Sequence, residues 1–176
     1  MTSDEGRIEG AGLAANVRYA LDALVQLTER HSREFRASVL LVSSDGRLLD
    51  CAGPRLPLEY RRAIHGQKIG EGMGSCGTAA FRGERVIVGD IARDPLWADF
   101  RDIALANGLR ACWSQPIRSS TGEVLGTFAQ YYDEPRLPDA EEIRLIETAA
   151  ARAAVMLEQA RRGASAEALV EELRSV

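Results

Sequence analysis

The stretch that decides the fold of this chain is ASVLLVSSDGRLLDC, residues 37–51. Two short apolar runs flank the pair Asp45-Gly46, and Asp-Gly between apolar runs is the strongest short-range signal for a β-hairpin. A second pair of apolar runs, at residues 110–118 and 123–132, is joined by the Ser-Ser-Thr-Gly linker 119–122. Because hairpins join antiparallel strands, the sequence predicts an antiparallel sheet.

Helical patterns surround these hairpins. Apolar residues recur at helical spacing between Leu13 and His31, which predicts an amphipathic helix. Asp139 followed by Glu142 is a capping-box variant, and it predicts a long helix that runs to about Arg162. The central elements are predicted as a helix at 58–64, a helix at 76–82 capped by Ser75 and stopped by Gly83, a strand at 86–88, and a helix from Asp94-Pro95 to Asn107. This order of elements predicts an α+β fold.

Composition fits one ordinary domain with short extensions. The chain has 176 residues, 45% of them apolar, and a net charge of −4, so it can bury a core without disulfides or metal. The acidic balance disfavours nucleic acid, no run reaches the roughly 18 apolar residues of a membrane helix, and three cysteines at irregular spacing form no disulfide or zinc pattern. We therefore expect a cytoplasmic protein with a flexible lead-in at 1–12, a domain at 13–162, and a helical extension or signalling-helix stub at 163–176.

Four segments of the chain carry a family resemblance. They read GEGMGSCGTAA at 70–80, VGDIARDPLW at 88–97, GLRACWSQPI at 108–117 and GEVLGTFAQYY at 122–132. In this order they resemble GAF domains, which are small-molecule-binding regulatory modules, and most of all those of bacterial sensor histidine kinases and diguanylate cyclases. The resemblance implies a central antiparallel sheet of about six strands, in the order 2-1-5-4-3 with an extra edge strand. It also implies terminal helices on one face and small, pocket-forming helices on the other.

The resemblance implies a non-enzymatic, small-molecule-sensing regulatory domain of bacterial signal transduction. An unidentified small molecule would bind between the sheet and the helix at 97–107, and would favour one arrangement of a homodimer over another. The terminal helices would pass this state to an output kinase or cyclase module, as in two-component systems. The sequence contains no phosphoacceptor-histidine module and no cyclase motif, so we expect that output in another segment or polypeptide.

The sequence leaves the cofactor unknown. GAF domains that bind cyclic nucleotides carry an Asn-Lys-Phe-Asp-Glu set, which a chain with Lys68 as its one lysine cannot have. Bilin-binding GAF domains attach the chromophore through a Cys followed by His, whereas the three cysteines here are followed by Ala, Gly and Trp. We interpret His31 and His65 as surface residues rather than haem ligands.

No metal site is predicted either. Four aspartates fall around the loop and helix that would cover the pocket, at positions 90, 94, 99 and 102. Asp94 is explained by helix capping, and Asp99 and Asp102 by a solvated helix face that also holds Arg101.

Candidate pocket residues come from the family motifs and from aromatic side chains, since ligand sites are usually apolar. In the strand 110–118, either Cys112 and Ser114 or Ala111 and Trp113 face the pocket, because successive residues point to opposite faces; the sequence leaves this choice open. The candidate set is Cys76, Thr78, Asp90, Ile91, Trp97, Phe100, Cys112, Trp113, Ser114 and Phe128.

An enzymatic alternative depends on Cys76. We expect this thiol in the first turn of a helix, where the positive end of the dipole favours a thiolate. Free-methionine-(R)-sulfoxide reductases share the GAF fold and have a cysteine in a similar Gly-x-x-Cys-Gly-Thr-Ala setting. Those enzymes also need a second cysteine and a cluster of acidic residues, which Cys112 and its strand do not clearly match. The main interpretation of Cys76 is a buried packing residue.

The last helix predicts a dimer interface. A heptad seam with spacings of 3, 4, 3, 4 and 3 is formed by Ile143, Ile146, Ala150, Ala153, Leu157 and Ala160. We expect a parallel homodimer that forms through the two terminal helices. A second, adjacent apolar stripe on the last helix would then pack on the sheet of its own chain. The alternative is that both stripes serve the chain's own core. A third reading of the whole chain is a dimerisation module whose pocket is filled and binds no ligand.

Overall fold

The computed structural model describes Leu13 and residues 15–174, except for the side chains of residues 165–169, 171 and 172. The predicted lead-in at 1–12 and the last two residues of the predicted extension lie outside the described residues. The elements are, in chain order, α1 (Ala15–Glu29), β1 (Phe35–Val42), β2 (Leu48–Ala52), α2 (Leu58–Ile64), α3 (Gly74–Arg82), β3 (Val86–Val88), the 3₁₀ helix η1 (Pro95–Trp97), α4 (Arg101–Ala106), β4 (Ala111–Arg118), β5 (Val124–Tyr132) and α5 (Ala140–Arg174).

The strands form one antiparallel sheet in the order β2-β1-β5-β4-β3. This confirms the predicted α+β class, both hairpins and the strand order. The prediction of about six strands is wrong, because the described residues form five. Beside β2, the chain forms only an isolated bridge between Arg47 and Lys68. The glycine-rich run 70–77 follows Lys68 and leads into α3.

The two faces of the sheet carry separate apolar cores. Helices α1 and α5 cover one face, where Trp113 and Tyr132 are buried; we call this the helix-side core. Helices α2, α3 and α4 and the turn η1 cover the other face, where Cys112 and Tyr131 are buried; we call this the cavity-side core. Neighbouring residues of β4 and β5 reach different cores because side chains alternate along a strand.

The heptad stripe of α5 faces the chain's own sheet. Ile143 is partly buried, and the other members belong to the helix-side core or pack against it: Ile146, Ala150, Ala153, Leu157 and Ala160. The expected dimer seam is therefore an intramolecular contact with α1, β4 and β5. Heptad spacing marks one buried face of a helix but not the surface that buries it. Within this chain the stripe packs in the helix-side core, as the alternative interpretation expects, and the homodimer stays a prediction.

Three local capping predictions are confirmed. The Asp139 carboxylate accepts hydrogen bonds from the Glu142 amide at 2.8 Å, and the Glu142 carboxylate accepts one from the Asp139 amide at 2.9 Å, so each side chain caps the other's backbone. Gly83 ends α3 in the left-handed region, with φ of +66°. Asp94 accepts a hydrogen bond from the Leu96 amide at the start of η1.

Three helix boundaries differ from the prediction. Helix α3 begins at Gly74, so Ser75 lies inside it and makes no cap. The run after Asp94 divides into η1 and α4, because Phe100 has φ of −118° and ψ of 0° and interrupts the helix. Helix α5 continues through Gly163 to Arg174. A glycine in a helix interior costs up to about 1 kcal/mol relative to alanine, but it keeps the backbone hydrogen bond.

Glu29 is a buried acid at the end of α1. Its side chain is only 5% exposed, and Oε1 accepts a hydrogen bond from the Ala37 amide of β1 at 2.9 Å. Burial raises the pKa of the Glu29 carboxyl above its usual value, although the bond from Ala37 opposes the shift. The ionised side chain therefore opposes folding at neutral pH.

We expect Glu29→Gln to be more stable than wild type at neutral pH and equally stable in acid. Glutamine keeps an oxygen for the Ala37 amide but has no charge to desolvate. An acid with a raised folded-state pKa lowers stability as the pH rises through the interval between its unfolded and folded pKa values. Urea unfolding between about pH 4 and pH 8 measures the difference, with the exposed Glu134→Gln as the control. A stability difference that does not change with pH would contradict this assignment.

Candidate functional site

A small cavity lies on the sheet face that the terminal helices leave open. Its volume is about 20 Å³, which is room for about one water molecule. Apolar walls come from Leu40 of β1 and Ile64 of α2, and from the rings of Trp97 and Phe100. Polar atoms enter it from Gln67 and from side chains on α2, α3 and β5.

Glycines bring the first turn of α3 close to the cavity. Gly74 has φ of +65°, a left-handed conformation that side chains rarely adopt. A methyl group at Gly77 would lie 2.6 Å from the Cβ of Met73, which itself lines the cavity. Met73 and Gly77 therefore approach each other closely at the start of α3.

A buried hydroxyl joins three elements beside the cavity. Ser75 Oγ of α3 donates a hydrogen bond to the Cys112 carbonyl of β4 at 3.0 Å. The same oxygen accepts one from the Trp97 indole Nε1 at 3.0 Å. Ser75 is fully buried and Trp97 nearly so. This pair of bonds holds η1 against α3 and fixes the Trp97 ring as a cavity wall.

Tyr60, Cys76 and Tyr131 line the cavity and form a polar cluster in its wall. Tyr131 Oη lies 3.5 Å from Cys76 Sγ and 3.5 Å from Tyr60 Oη. The Cys112 thiol lowers the pKa of Cys76, burial opposes this, and the hydroxyls of Ser114 and Tyr131 lower it further.

The other members of this cluster stay neutral. Burial raises the pKa of Cys112 and of both tyrosines well above their usual values, and the neighbouring Cys76 sulfur adds to each shift. The cavity therefore has the neutral hydroxyls of Tyr60 and Tyr131 in its wall.

The structure brings only part of the predicted pocket set together. Three of its residues line the cavity: Cys76, Trp97 and Phe100. Four others are buried nearby without lining it: Thr78, Ile91, Cys112 and Ser114. Asp90 instead stabilises its own loop, because its carboxylate accepts from the Ala92 amide at 3.1 Å and pairs with Arg93.

Trp113 and Phe128 do not belong to the pocket. Both are buried in the helix-side core, and Trp113 stacks on Tyr132 with ring centroids 4.3 Å apart. The register of β4 sends Cys112 and Ser114 to the cavity side and Trp113 to the helix side. The sequence alone did not distinguish these alternatives.

Sequence reasoning missed several cavity residues. Tyr131 is the cross-strand partner of Cys112, so it shares a face with that cysteine once the strands are paired. Tyr60 and Ile64 lie four residues apart on one face of α2, a spacing that could have identified them. Ser75 was considered only as a helix cap.

The described residues offer no metal site, since none of their His, Cys, Asp and Glu side chains form a group of three or more that could hold an ion. Both histidines are exposed, and neither lines the cavity. Within the same part of the chain, no helix is long and apolar enough to cross a membrane.

A sheet of this order, with terminal helices on one face and a small cavity on the other, is the architecture expected from the family resemblance. The sequence profile of the GAF domain matches residues 11–158. The chain therefore belongs to the GAF domain family.

One curated relative is the methyl sulfide methyltransferase-associated sensor of Methanosarcina acetivorans. It is 40% identical over 144 residues, which cover 79% of this chain and 14% of the relative. The chain thus spans about one seventh of the length of that protein.

Solved structures share the fold at lower identity. A domain assigned to a two-component sensor histidine kinase from Sinorhizobium meliloti 1021 has a TM-score of 0.71 and 21% identity, and the match covers 88% of this chain and 96% of that one. The free methionine-R-sulfoxide reductase of Neisseria meningitidis, solved with its substrate, has a TM-score of 0.67 and 21% identity, with 84% and 81% covered. At such identities the likeness extends to the fold alone.

Proposed function

We propose that this chain is a non-enzymatic sensing domain of signal transduction whose small-molecule ligand binds in the cavity beside α3. The observation that carries the proposal is the cavity itself, which has apolar walls and a few convergent polar atoms. The relative named as a sensor and the fold shared with a sensor histidine kinase domain support the same function.

The lining favours a small, uncharged ligand. No arginine, lysine or carboxylate is among the described residues that line the cavity, so a multiply charged ligand would lose its hydration without compensation. Tyr131 and Gln67 are among the lining residues that offer hydrogen bonds. A ligand much larger than water must displace part of the cavity wall. The turn η1 places Trp97 in that wall, where its indole N–H donates a hydrogen bond to Ser75.

The sheet offers a direct connection from the cavity to the terminal helices. Tyr131 of β5 lines the cavity, and the next residue, Tyr132, points into the helix-side core. Tyr132 Oη donates to the Glu142 carboxylate at 3.1 Å, and Arg136 stacks on the Tyr132 ring at 4.6 Å and pairs with Glu142. A ligand that shifts β5 therefore moves the first turn of α5.

We extend the proposal to a homodimer that transmits the signal to an output kinase or cyclase module, in the same polypeptide or in another. With the heptad stripe buried, the dimer contact must use the outward face of the terminal helices. Tyr19 of α1 is 78% exposed and Val155 of α5 is 52% exposed, and large apolar side chains on one helical layer favour association. A ligand would act by preferring one arrangement of the two chains.

The experiment that tests this function is native mass spectrometry of the purified protein beside a denatured sample. We expect a species of twice 19.2 kDa that carries a small excess mass, lost on denaturation, which weighs the ligand directly. A dimer without excess mass would favour the dimerisation module. A ligand-free monomer would contradict both the sensing and the dimer proposals.

A matched pair of substitutions on α2 tests the location of the ligand. Ile64→Phe adds bulk inside the cavity, and we expect at least a tenfold loss of the bound species, about 1.4 kcal/mol, in a protein that still folds because overpacking usually costs about 1 to 3 kcal/mol. Leu58→Phe lies on the same helix but is 54% exposed, so it should retain the ligand. Equal retention by both variants would place the ligand elsewhere.

The reductase alternative receives less support from the site. Free methionine sulfoxide carries an ammonium and a carboxylate, and the described cavity lining has no opposite charges for them. Its volume is also far smaller than such a substrate needs. Turnover of that sulfoxide by wild type with a thiol reductant, lost in Cys76→Ser, would reverse this conclusion.

A further inference from the structure

Two buried tyrosine hydroxyls meet in the wall of the cavity without forming a good hydrogen bond. Tyr60 of α2 and Tyr131 of β5 both line the cavity, and the two residues are 1% and 0% exposed. Their rings pack edge to face, with centroids 5.6 Å apart. The two Oη atoms lie 3.5 Å apart, well beyond the separation of about 2.7 to 2.8 Å that O–H···O bonds prefer. The two hydroxyls are therefore poorly bonded to each other.

Neither hydroxyl has a better partner among the described residues. The other contact of Tyr131 Oη is Cys76 Sγ, also at 3.5 Å, and a thiol is only a weak donor and a weak acceptor. A buried hydroxyl that lacks a good partner is costly. Two oxygen atoms 3.5 Å apart can share a third oxygen that lies at a normal bonding distance of about 2.8 Å from each. A ligand oxygen at that position would satisfy both tyrosines at once.

The rest of the lining restricts the body of such a ligand. Leu40, Ile64 and Trp97 present apolar surface, and no lining residue among those described is an arginine, a lysine or a carboxylic acid. Apolar surface favours a hydrocarbon body, and a charged group would lose its hydration there without compensation. The cavity has room for about one water molecule, so the body must be short. Met73 and Phe100 line the cavity and are only partly buried, so these two side chains can yield to a few carbon atoms.

We propose that the ligand of this cavity is a short-chain neutral alcohol or ketone whose oxygen atom bonds to the hydroxyls of Tyr60 and Tyr131. This inference rests on the proposed sensing function, and it names the chemical class of the ligand. A tyrosine hydroxyl both donates and accepts. The pair can therefore donate two hydrogen bonds to a ketone oxygen, or it can donate one to an alcohol and accept one from it.

The experiment titrates the full chain with four small probes and follows the backbone amide resonances by nuclear magnetic resonance. Acetone and 2-propanol belong to the proposed class, and acetate and isopropylammonium are charged molecules of the same size. We expect the two neutral probes to shift resonances of residues that line the cavity, with dissociation constants in the millimolar range because such small molecules make few contacts. Acetate and isopropylammonium should leave the same resonances unchanged.

Substitutions that remove single hydroxyls test the position of the ligand oxygen. Tyr131→Phe and Tyr60→Phe each keep the ring and lose one hydrogen-bonding group, and each should weaken acetone binding roughly fivefold, as expected for one neutral hydrogen bond. The two variants lie on different elements, so the second tests the inference even where the first disturbs folding. Tyr19→Phe is the matched control, because it removes a hydroxyl from a residue of α1 that is 78% exposed. It should bind acetone as wild type does.

Three results would overturn the inference. In the first, neither neutral probe shifts a resonance of the cavity lining. In the second, acetate binds as well as acetone. In the third, the phenylalanine variants at Tyr60 and Tyr131 bind acetone as tightly as wild type. The proposed sensing function has a separate readout, because it requires only that the purified protein retain a ligand that Ile64→Phe loses. A wrong ligand class is therefore distinguished from a cavity that binds nothing.

Discussion

Gly126→Ala is expected to destabilise the domain by about 3 kcal/mol or more, which is a large effect for the addition of one methyl group. Gly126 lies in β5 between Leu41 of β1 and Ile117 of β4. A Cβ at this position would lie 2.2 Å from the Leu40 carbonyl oxygen and 3.2 Å from the Leu41 Cα. Both are backbone atoms of the central strand pair, so no side-chain rotation can relieve the overlap.

The matched control is the same substitution at Gly163. This glycine lies inside α5, and a Cβ built there meets no atom within 4 Å. Gly163→Ala should therefore stabilise the protein by about 0.5 to 1 kcal/mol, because alanine is the better helix former. Urea unfolding followed by circular dichroism measures both changes. Equal effects of the two substitutions would show that the close approach of β5 and β1 does not hold in solution.

Ser75→Ala is expected to destabilise the domain by about 1 to 3 kcal/mol and to weaken ligand retention. The change leaves the buried Trp97 indole N–H without its partner, and such a group costs about 1 to 3 kcal/mol. The Trp97 turn loses its tie to α3. Since Trp97 is a cavity wall, the ligand should dissociate faster from the variant.

A double-mutant cycle isolates the hydroxyl-to-indole bond. Trp97→Phe removes the indole N–H but keeps an aromatic wall, so Ser75→Ala should be less damaging in that background by about 1 kcal/mol. Unfolding in urea provides the four free energies. If the two substitutions are simply additive, the bond between Ser75 and Trp97 does not contribute, and the wall must be held by apolar packing alone.

Much of the fold was predictable because its signals are local. Asp45-Gly46 places a turn between two apolar runs whatever the rest of the chain does, and the pairing of Val42 with Leu48 follows from it. The capping box at Asp139 and the glycine stop of α3 likewise depend on a few adjacent residues. These features form through contacts between residues that are close together in the chain, so they can be predicted without the tertiary structure.

The cavity was only partly predictable, because its residues meet through the strand register. Cys76 was identified from its motif, but its neighbours Tyr131 and Tyr60 come from β5 and α2. Trp113 was an equally good candidate because ligand sites are usually apolar, yet it lies in the helix-side core, on the opposite face of the sheet. A shift of one residue exchanges the two faces of a strand, and only the pairing of whole strands sets that choice.

The sequence by itself determined the class of fold, the order of its elements, the two hairpins and the caps, because each depends on interactions between residues close together in the chain. The tertiary structure alone decided which face of β4 meets the cavity, what covers the heptad stripe of α5, and what Ser75 bonds to. Amphipathic patterns show that a face is buried, but they do not name the partner that buries it. That partner is fixed by the packing of segments that lie far apart in the sequence.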